Sequence, residues 1–231
     1  MKAYVINLDS RSDRWADVIA QNGVLGLEIH RVSAVTVDSV VASPYVTRVI
    51  AATWQSHQKA MKLFLESSEE YALIMEDDFV LLNRWRPELL HLCTALGADF
   101  LQVGFLITNS VDRIQITLNS IFDFLLKVLR KIANLSGFMG NRLGNKLLIR
   151  EQSGIPFEIV CNDIRPGAHA YIVSRAFAQA ALQINSPEFL SADAVYMSMG
   201  WMRSFKLLRF RRSLIGQSNS DSSITERFLN D

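Results

Sequence analysis

Residues 71–78 read Tyr71-Ala72-Leu73-Ile74-Met75-Glu76-Asp77-Asp78, an apolar run that passes directly into three adjacent carboxylates. The apolar part has the length and composition of a buried central strand. Acids at the end of such a strand are costly unless something positive meets them. In open α/β sheets, ligands bind outside the carboxyl ends of strands. In an extended chain Glu76 and Asp78 point to one side. Two hard oxygen ligands at that spacing suit Mg²⁺ or Mn²⁺ carrying a diphosphate, with water and phosphate oxygens completing the shell. The plainer reading is a solvated turn with chance acids; the position directly after Tyr-Ala-Leu-Ile-Met favours the site.

Outward from this stretch, strands and helices alternate. Residues 3–8 form a mostly apolar run ending in Asn7-Leu8-Asp9-Ser10, a buried strand leading into a loop. Residues 11–21 carry Trp15, Val18 and Ile19 at helical spacing, and Gly23 and Gly26 are expected to break that helix. A second strand is expected over 28–35 and a helix over 48–66, where Ile50, Trp54, Ala60, Met61, Phe64 and Leu65 recur near helical spacing. Beyond the acids, a helix over 87–96 and strands over 99–107 and 168–173 continue the alternation. The pattern predicts an α/β layered sheet.

Composition bounds the rest. The chain has 231 residues, 49% hydrophobic, with mean hydropathy +0.15. That is enough to bury a substantial core, as one domain or one domain with an excursion, and too apolar for disorder. Two cysteines, Cys93 and Cys161, make no disulfide scaffold and no CxxC zinc site. They fit a reducing compartment. The apolar run at the N-terminus is cut off by Asp9 and is too short for a signal peptide. No uninterrupted apolar stretch approaches the length of a spanning helix.

Residues 112–152 change texture. Ile114, Leu118, Ile121, Phe122, Leu125, Leu129 and Ile132 share one helix face, with Ser120, Asp123, Lys127, Arg130, Lys131 and Asn134 opposite. A wide apolar face with a Lys/Arg-bearing polar face suits a helix lying in a membrane interface. Packing on the domain core, or a homodimer contact, fits the same pattern.

Several short elements together resemble glycosyltransferase family 25, the bacterial lipopolysaccharide and lipooligosaccharide sugar transferases related to procollagen galactosyltransferases. Tyr4-Val5-Ile6-Asn7-Leu8-Asp9 with Arg11, Asp13 and Arg14 resembles the family's xVINLxxRxDR opening. Arg31-Val32-Ser33-Ala34-Val35 resembles its next strand, Ser56-His57 its SH pair, and Ala72 to Asp78 its ALxLEDD element. Gly167, Tyr171 and Ser174 resemble its GxxxYxxS strand, Ser191-Ala192-Asp193 its late xxD site, and Gln217 with Ser220 to Ile224 its closing Q…SxI segment. The likeness covers residues 1–108 and 157–225. Val49-Ile50-Ala51-Ala52 stands where the family has a Glu-Ile-Gly-Cys-like segment, and 112–152 has no counterpart.

The resemblance implies a GT-A-like fold: a Rossmann-type mixed sheet flanked by helices, residues 1–231 as a single domain, with 112–152 as a helical basic insertion. It implies a UDP-sugar donor and Mn²⁺ or Mg²⁺ at a DxD-type motif, here Glu76-Asp77-Asp78. Asp78 would be the metal ligand, Glu76 a second one, direct or through water, and Asp77 a contact to ribose or sugar. Asn7, Leu8, Arg11 and Arg14 would line the nucleotide pocket, Arg suiting a diphosphate through paired hydrogen bonds. Asp13-Arg14 also reads as a helix-start ion pair. His57 is a further donor-site candidate, against a structural hydrogen-bonding role; His169 reads as structural. Gln217, Ser220 and Asp221 would close over the donor. The family is inverting, so a carboxylate should deprotonate the acceptor hydroxyl. Asp193 takes that role by its motif, with Asp163 and Glu158 as rivals and helix capping as the plainer alternative.

Net charge is +1, which as a total argues against a nucleic-acid partner. Residues 113–150 hold seven basic residues and one acid, and 203–212 hold five basic residues and no acid. Segments of +6 and +5 in a chain of +1 leave −10 on the rest. If both segments share a face, an anionic membrane or phosphorylated glycolipid is a credible partner. The expectation is a cytoplasmic hexosyltransferase (galactose or glucose, by resemblance), peripheral on the inner face of the bacterial inner membrane, acting on a lipopolysaccharide saccharide. Another metal-dependent phosphate-processing enzyme, or a degenerate non-catalytic scaffold at the membrane, would share part of the pattern.

Overall fold

The computed structural model describes residues 1–41, 44–105, 159–161, 164–167, 169–185, 189–201 and 205–218. The chain divides into two units, Met1–Leu106 with Val160–Asp231, and Ile107–Ile159. The 112–152 segment lies outside the described residues.

The chain begins β1 (Lys2–Asn7), α1 (Ser12–Leu25), β2 (Ile29–Ser33), α2 (Arg48–Glu66), β3 (Tyr71–Glu76) and β4 (Phe79–Leu81). A 3₁₀ turn (Pro87–Leu90) leads into α3 (His91–Ala95) and β5 (Phe100–Gly104). Then come β6 (Ile159–Cys161), β7 (Ala170–Ser174), α4 (Arg175–Ile184), α5 (Ala192–Trp201), β8 (Leu207–Phe210) and β9 (Ile215–Gln217). The strands make one mixed nine-stranded sheet in the order β2-β1-β3-β7-β5-β8-β6, with β9 pairing β4 and β5. The expected α/β class holds. β1 runs parallel to both β2 and β3, and β7 lies antiparallel to β3 and β5.

The path decides which helix lies where. From β1 to β2 the chain moves one way across the sheet, and from β2 to β3 it moves back past β1. Right-handed crossovers then put α1 and α2 on opposite faces. The α2 face carries the larger core: Tyr4, Ile6, Trp54, Met61, Phe64, Ile74, Phe100, Tyr171, Phe177 and Tyr196 all belong to it. Helices α2, α4 and α5 pack on one another over that face.

Local chemistry explains the ends. Thr47 caps α2 by accepting from the Ile50 N–H at 3.3 Å. Arg175 closes its far end, donating to the carbonyls of Leu65, Ser67 and Glu69. Gly23 does not break α1, which runs two residues further; Gly26 ends it, with φ of 74° and its N–H on the Asn22 carbonyl. Only the left-handed residue stops the helix. The Ser-His pair of α2 does two jobs. Ser56 Oγ accepts from the Val35 N–H at 2.9 Å, tying the exit of β2 to the helix. His57 turns into the core, at 1% exposure. Cys93 is a buried free thiol whose pKa burial pushes up to about 12, so it is no nucleophile.

Among the described glycines, Gly104 meets the closest neighbours. A Cβ there would stand 2.6 Å from His169 Nε2 and 2.9 Å from the Ala170 Cβ. Gly104→Ala is expected to lower stability by about 1–3 kcal/mol, read as the urea midpoint, because the His169 ring would lose its place against the Ile215 carbonyl.

Candidate active site

The acidic triplet splits between the two faces of the sheet. Ile74 faces the α2 core, and two residues on Glu76 faces the same way, where His57 Nε2 lies 3.5 Å from its Oε1. Asp77 falls to the opposite, α1 side. There Asn7 Nδ2 donates to Asp77 Oδ2 at 2.6 Å and Arg14 to Oδ1 at 3.0 Å. The strand ends at Glu76, so Asp77 and Asp78 sit in the turn before β4, not in the extended chain that the sequence suggested.

Asn7 is the hub of the α1 side. It is 1% exposed, its amide N–H groups go to Asp77 and to the Arg11 carbonyl, and its Oδ1 accepts from Arg31 Nε and Nη2 at 2.9 and 2.6 Å. Arg31 also lies over the Trp15 ring, 5.2 Å from its centroid. Asp77 is therefore held by protein groups on both oxygens. Arg14→Met is expected to cost about 2–4 kcal/mol of unfolding free energy, since it removes one partner of a carboxylate only 9% exposed. An effect below about 0.5 kcal/mol would mean the pair is solvated.

Glu76 and Asp78 meet around one neutral side chain, and Arg14 also reaches Asp78 Oδ2, at 3.8 Å. Gln217 Nε2, from the end of β9, lies 3.3 Å from Glu76 Oε2 and 3.5 Å from Asp78 Oδ1. A single nitrogen thus stands within reach of one oxygen from each acid. Burial pushes the Asp78 pKa up to about 6, with repulsion from Glu76 and Asp77 adding to it and Arg14 and Gln217 opposing. Burial also acts to raise Glu76, but its contact with His57 and the pull of His57, His169 and Arg14 leave its pKa lowered. Two neighbouring carboxylates at this spacing could hold a divalent cation between them. Their oxygens suit Mg²⁺ or Mn²⁺. Among the described residues no three His, Cys, Asp or Glu side chains are arranged to hold a metal by themselves. Phosphate oxygens and water would supply the remaining positions.

Asp193 opens α5. The Gly167 N–H donates to its Oδ2 at 3.0 Å. Gly167 has φ of 101°, a conformation that favours glycine, and the buried Gln102 holds its loop through the carbonyls of Arg165 and Gly167. Burial raises the Asp193 pKa; the Gly167 N–H, His57 and His169 act against it, and Glu76 adds to it. Those couplings place Asp193 within electrostatic range of the Glu76 end of the site.

The remaining candidates scatter more. Arg11 pairs with Asp13 at 2.7 Å, so the helix-start ion pair involves Arg11, and Arg14 is the residue that reaches the acids. The Leu8 carbonyl accepts from the Arg11 N–H, shaping the turn after β1. Asp221 and Ser220, and the rival bases Asp163 and Glu158, lie outside the described residues. A cleft of about 280 Å³ runs along α1 beside the acidic turn, past Arg14, Asp17, Gln21, Asp78 and Ser218.

The 203–212 segment does not present five basic side chains to solvent. Arg203 lies outside the described residues, and Arg209 is buried in β8, donating to the Phe210 carbonyl and stacked over Phe105. The sheet interior claims alternate residues whatever their charge, and an aromatic face makes the guanidinium tolerable. Lys206 donates to the Leu96 carbonyl. The 113–150 segment lies outside the described residues. No described helix is long and apolar enough to cross a membrane.

Four participants were not singled out from sequence: Arg31, Gln102, Tyr171 and Tyr196. Arg31 and Tyr171 lay inside the matching motifs and could have been read there. Gln102 is a polar residue inside an apolar strand, a signal in itself. Tyr196 lies at helical spacing from Ala192 and gave no sign. Compared with known proteins, no family model matches the chain, and no curated protein matches it.

Proposed function

We propose that the chain is a metal-dependent, inverting glycosyltransferase of GT-A-like fold that moves a hexose from a UDP-sugar to a saccharide acceptor of a bacterial surface glycolipid. One observation carries this reading. Motif residues drawn from four separate stretches of sequence meet at the C-terminal ends of β1 and β3: Asn7 and Arg14 on Asp77, His57 on Glu76, Gln217 on Glu76 and Asp78. A likeness built of scattered short motifs requires such a meeting, and this one supports the reading.

The chemistry divides among these residues. Glu76 and Asp78 would hold the divalent ion, which when bound offsets the charge growing on the departing UDP. Asn7 and Arg14 hold Asp77 and so fix the turn that presents its neighbours. Asp193 takes the proton from the acceptor hydroxyl through Oδ1, since Oδ2 is held by Gly167. The acceptor oxygen then bonds to the anomeric carbon, and the bond to UDP breaks with its electron pair leaving on the diphosphate. A raised pKa suits a base that must accept a proton near neutral pH.

The test is a screen of UDP-sugars for binding and slow hydrolysis, with Mn²⁺ and with chelator. Binding and turnover of a UDP-hexose that need the metal are the expected result. Binding of no UDP-sugar with any metal, or nucleotide turnover without sugar transfer to any saccharide, would overturn the reading.

A further inference from the structure

A buried polar chain crosses the core from α5 to the acidic end of β3. Tyr196, on α5, donates to the Tyr171 hydroxyl at 2.7 Å, and that hydroxyl lies 2.7 Å from His57 Nδ1. On the far side of the same ring, Nε2 faces Glu76 Oε1 at 3.5 Å and has no closer hydrogen-bond partner. Tyr196, Tyr171 and His57 are each at most 1% exposed. Their rings pack on one another, with centroids 4.8 Å apart for the tyrosines and 5.6 Å for His57 and Tyr171, and Phe100 stacks on Tyr171 at 5.4 Å. Such groups cost desolvation that apolar residues of the same size would avoid.

The direction of the chain follows from the carboxylate at its end. A bare lone pair on Nε2 would repel Glu76, so that nitrogen carries a hydrogen. Nδ1 then accepts from the Tyr171 hydroxyl, which in turn accepts from Tyr196.

We infer that His57 is a positioning residue whose Nε2–H sets the pose of the Glu76 carboxylate, and that the Tyr196–Tyr171 hydroxyl pair locks the ring for that task. One polar unit would thus join the strand end to the helix whose first turn carries Asp193. The role of Glu76 as a metal ligand rests on the function proposed above; the His57–Glu76 contact does not.

Two measurements on the full chain test this. Long-range ¹H–¹⁵N correlation of the His57 ring needs no metal. It should show the hydrogen on Nε2, a Nε2 resonance displaced by Glu76→Gln, and a Nδ1 resonance displaced by Tyr171→Phe. A hydrogen on Nδ1 alone, or a Nε2 resonance indifferent to Glu76→Gln, would overturn the inference. Mn²⁺ titration followed by electron paramagnetic resonance reads the consequence. Loss of a group that orients a metal ligand weakens metal binding about 10–100-fold, the drop expected for His57→Gln, with a smaller one for Tyr171→Phe. Adding His57→Gln to Glu76→Gln should cost nothing more. Additive losses, or a lowered melting temperature with unchanged Mn²⁺ affinity, would make the chain merely structural. If His57→Gln does not fold, the near-isosteric Tyr171→Phe carries both readouts. A wild-type protein that binds no Mn²⁺ would sink the glycosyltransferase reading, and the ring resonances would still decide the positioning.

Discussion

Asp78→Asn should raise the melting temperature of the metal-free protein at pH 7 while lowering sugar transfer by about a thousandfold. Both effects come from one cause. The Asp78 carboxyl has its pKa pushed up to about 6 by burial and by Glu76 beside it, so at pH 7 the fold holds a charge it disfavours. Each pKa unit corresponds to about 1.4 kcal/mol, which puts the relief on the order of 3 kcal/mol. The sign can be checked by pH. Between the ordinary value of 3.8 and about 6, the folded protein binds a proton at Asp78 that the unfolded chain does not. Stability from this group is therefore present at low pH and lost as pH rises through about 6. The gap between variant and wild type should be widest at pH 7 and close towards pH 4. Glu76, with its pKa lowered, works in the opposite sense, but it is common to both proteins. Differential scanning fluorimetry in chelator measures the first effect and transfer kinetics the second. A neutral amide is a poor ligand for a hard cation, and a thousandfold corresponds to about 4 kcal/mol of transition-state stabilisation. A variant that is less stable in chelator, or transfers at the wild-type rate, would remove Asp78 from the proposed metal site.

Asp193→Asn is expected to lower kcat by about 10²–10⁴-fold with nucleotide affinity nearly unchanged and the melting temperature at pH 7 unchanged or higher, since burial disfavours the Asp193 charge as well. The asparagine oxygen can still accept from the Gly167 N–H, so the loop and the start of α5 should keep their geometry. What disappears is an atom able to take a proton. In the wild type, activity should fall as pH drops through the Asp193 pKa, which burial raises above the ordinary carboxylate value, and this limb should vanish in the residual rate of the variant. Steady-state kinetics across pH, with donor binding by calorimetry, separates the cases. Lost donor binding would make Asp193 a ligand contact, and an unchanged kcat would leave it as the anchor of the Gly167 loop, the start of α5 being capped by Ser191.

The same site shows where sequence stops informing. Strand β3, helix α2 and the approximate positions of β1, β2 and β5 were legible because each rests on local periodicity and apolar composition. The short strands β4 and β9 were not, since three residues give no period, and they form only by pairing with each other and with β5. Helix α4 carried a readable start in Ser174, which accepts from the Phe177 N–H. Its meaning becomes plain only once β7 is known to end there. The bounds of α1 turned on conformation: Gly23 and Gly26 look alike in sequence, and only Gly26 takes a positive φ.

By itself, then, the sequence determined that an apolar strand ends in three acids, that helices alternate with strands around it, and that the charge is unevenly spread. These are properties of neighbouring residues, set by side-chain period and composition. The tertiary structure decided which partner each acid meets. Alternation along β3 sends Glu76 towards His57 and the turn after it sends Asp77 towards Asn7 and Arg14, but those partners wait there only because the β2-β1-β3 order puts α2 and α1 on opposite faces. It also turned Arg209 inward and brought Gln217 to the acids from 139 residues away. Contacts over such separations depend on the path of the whole chain, and no local pattern encodes them.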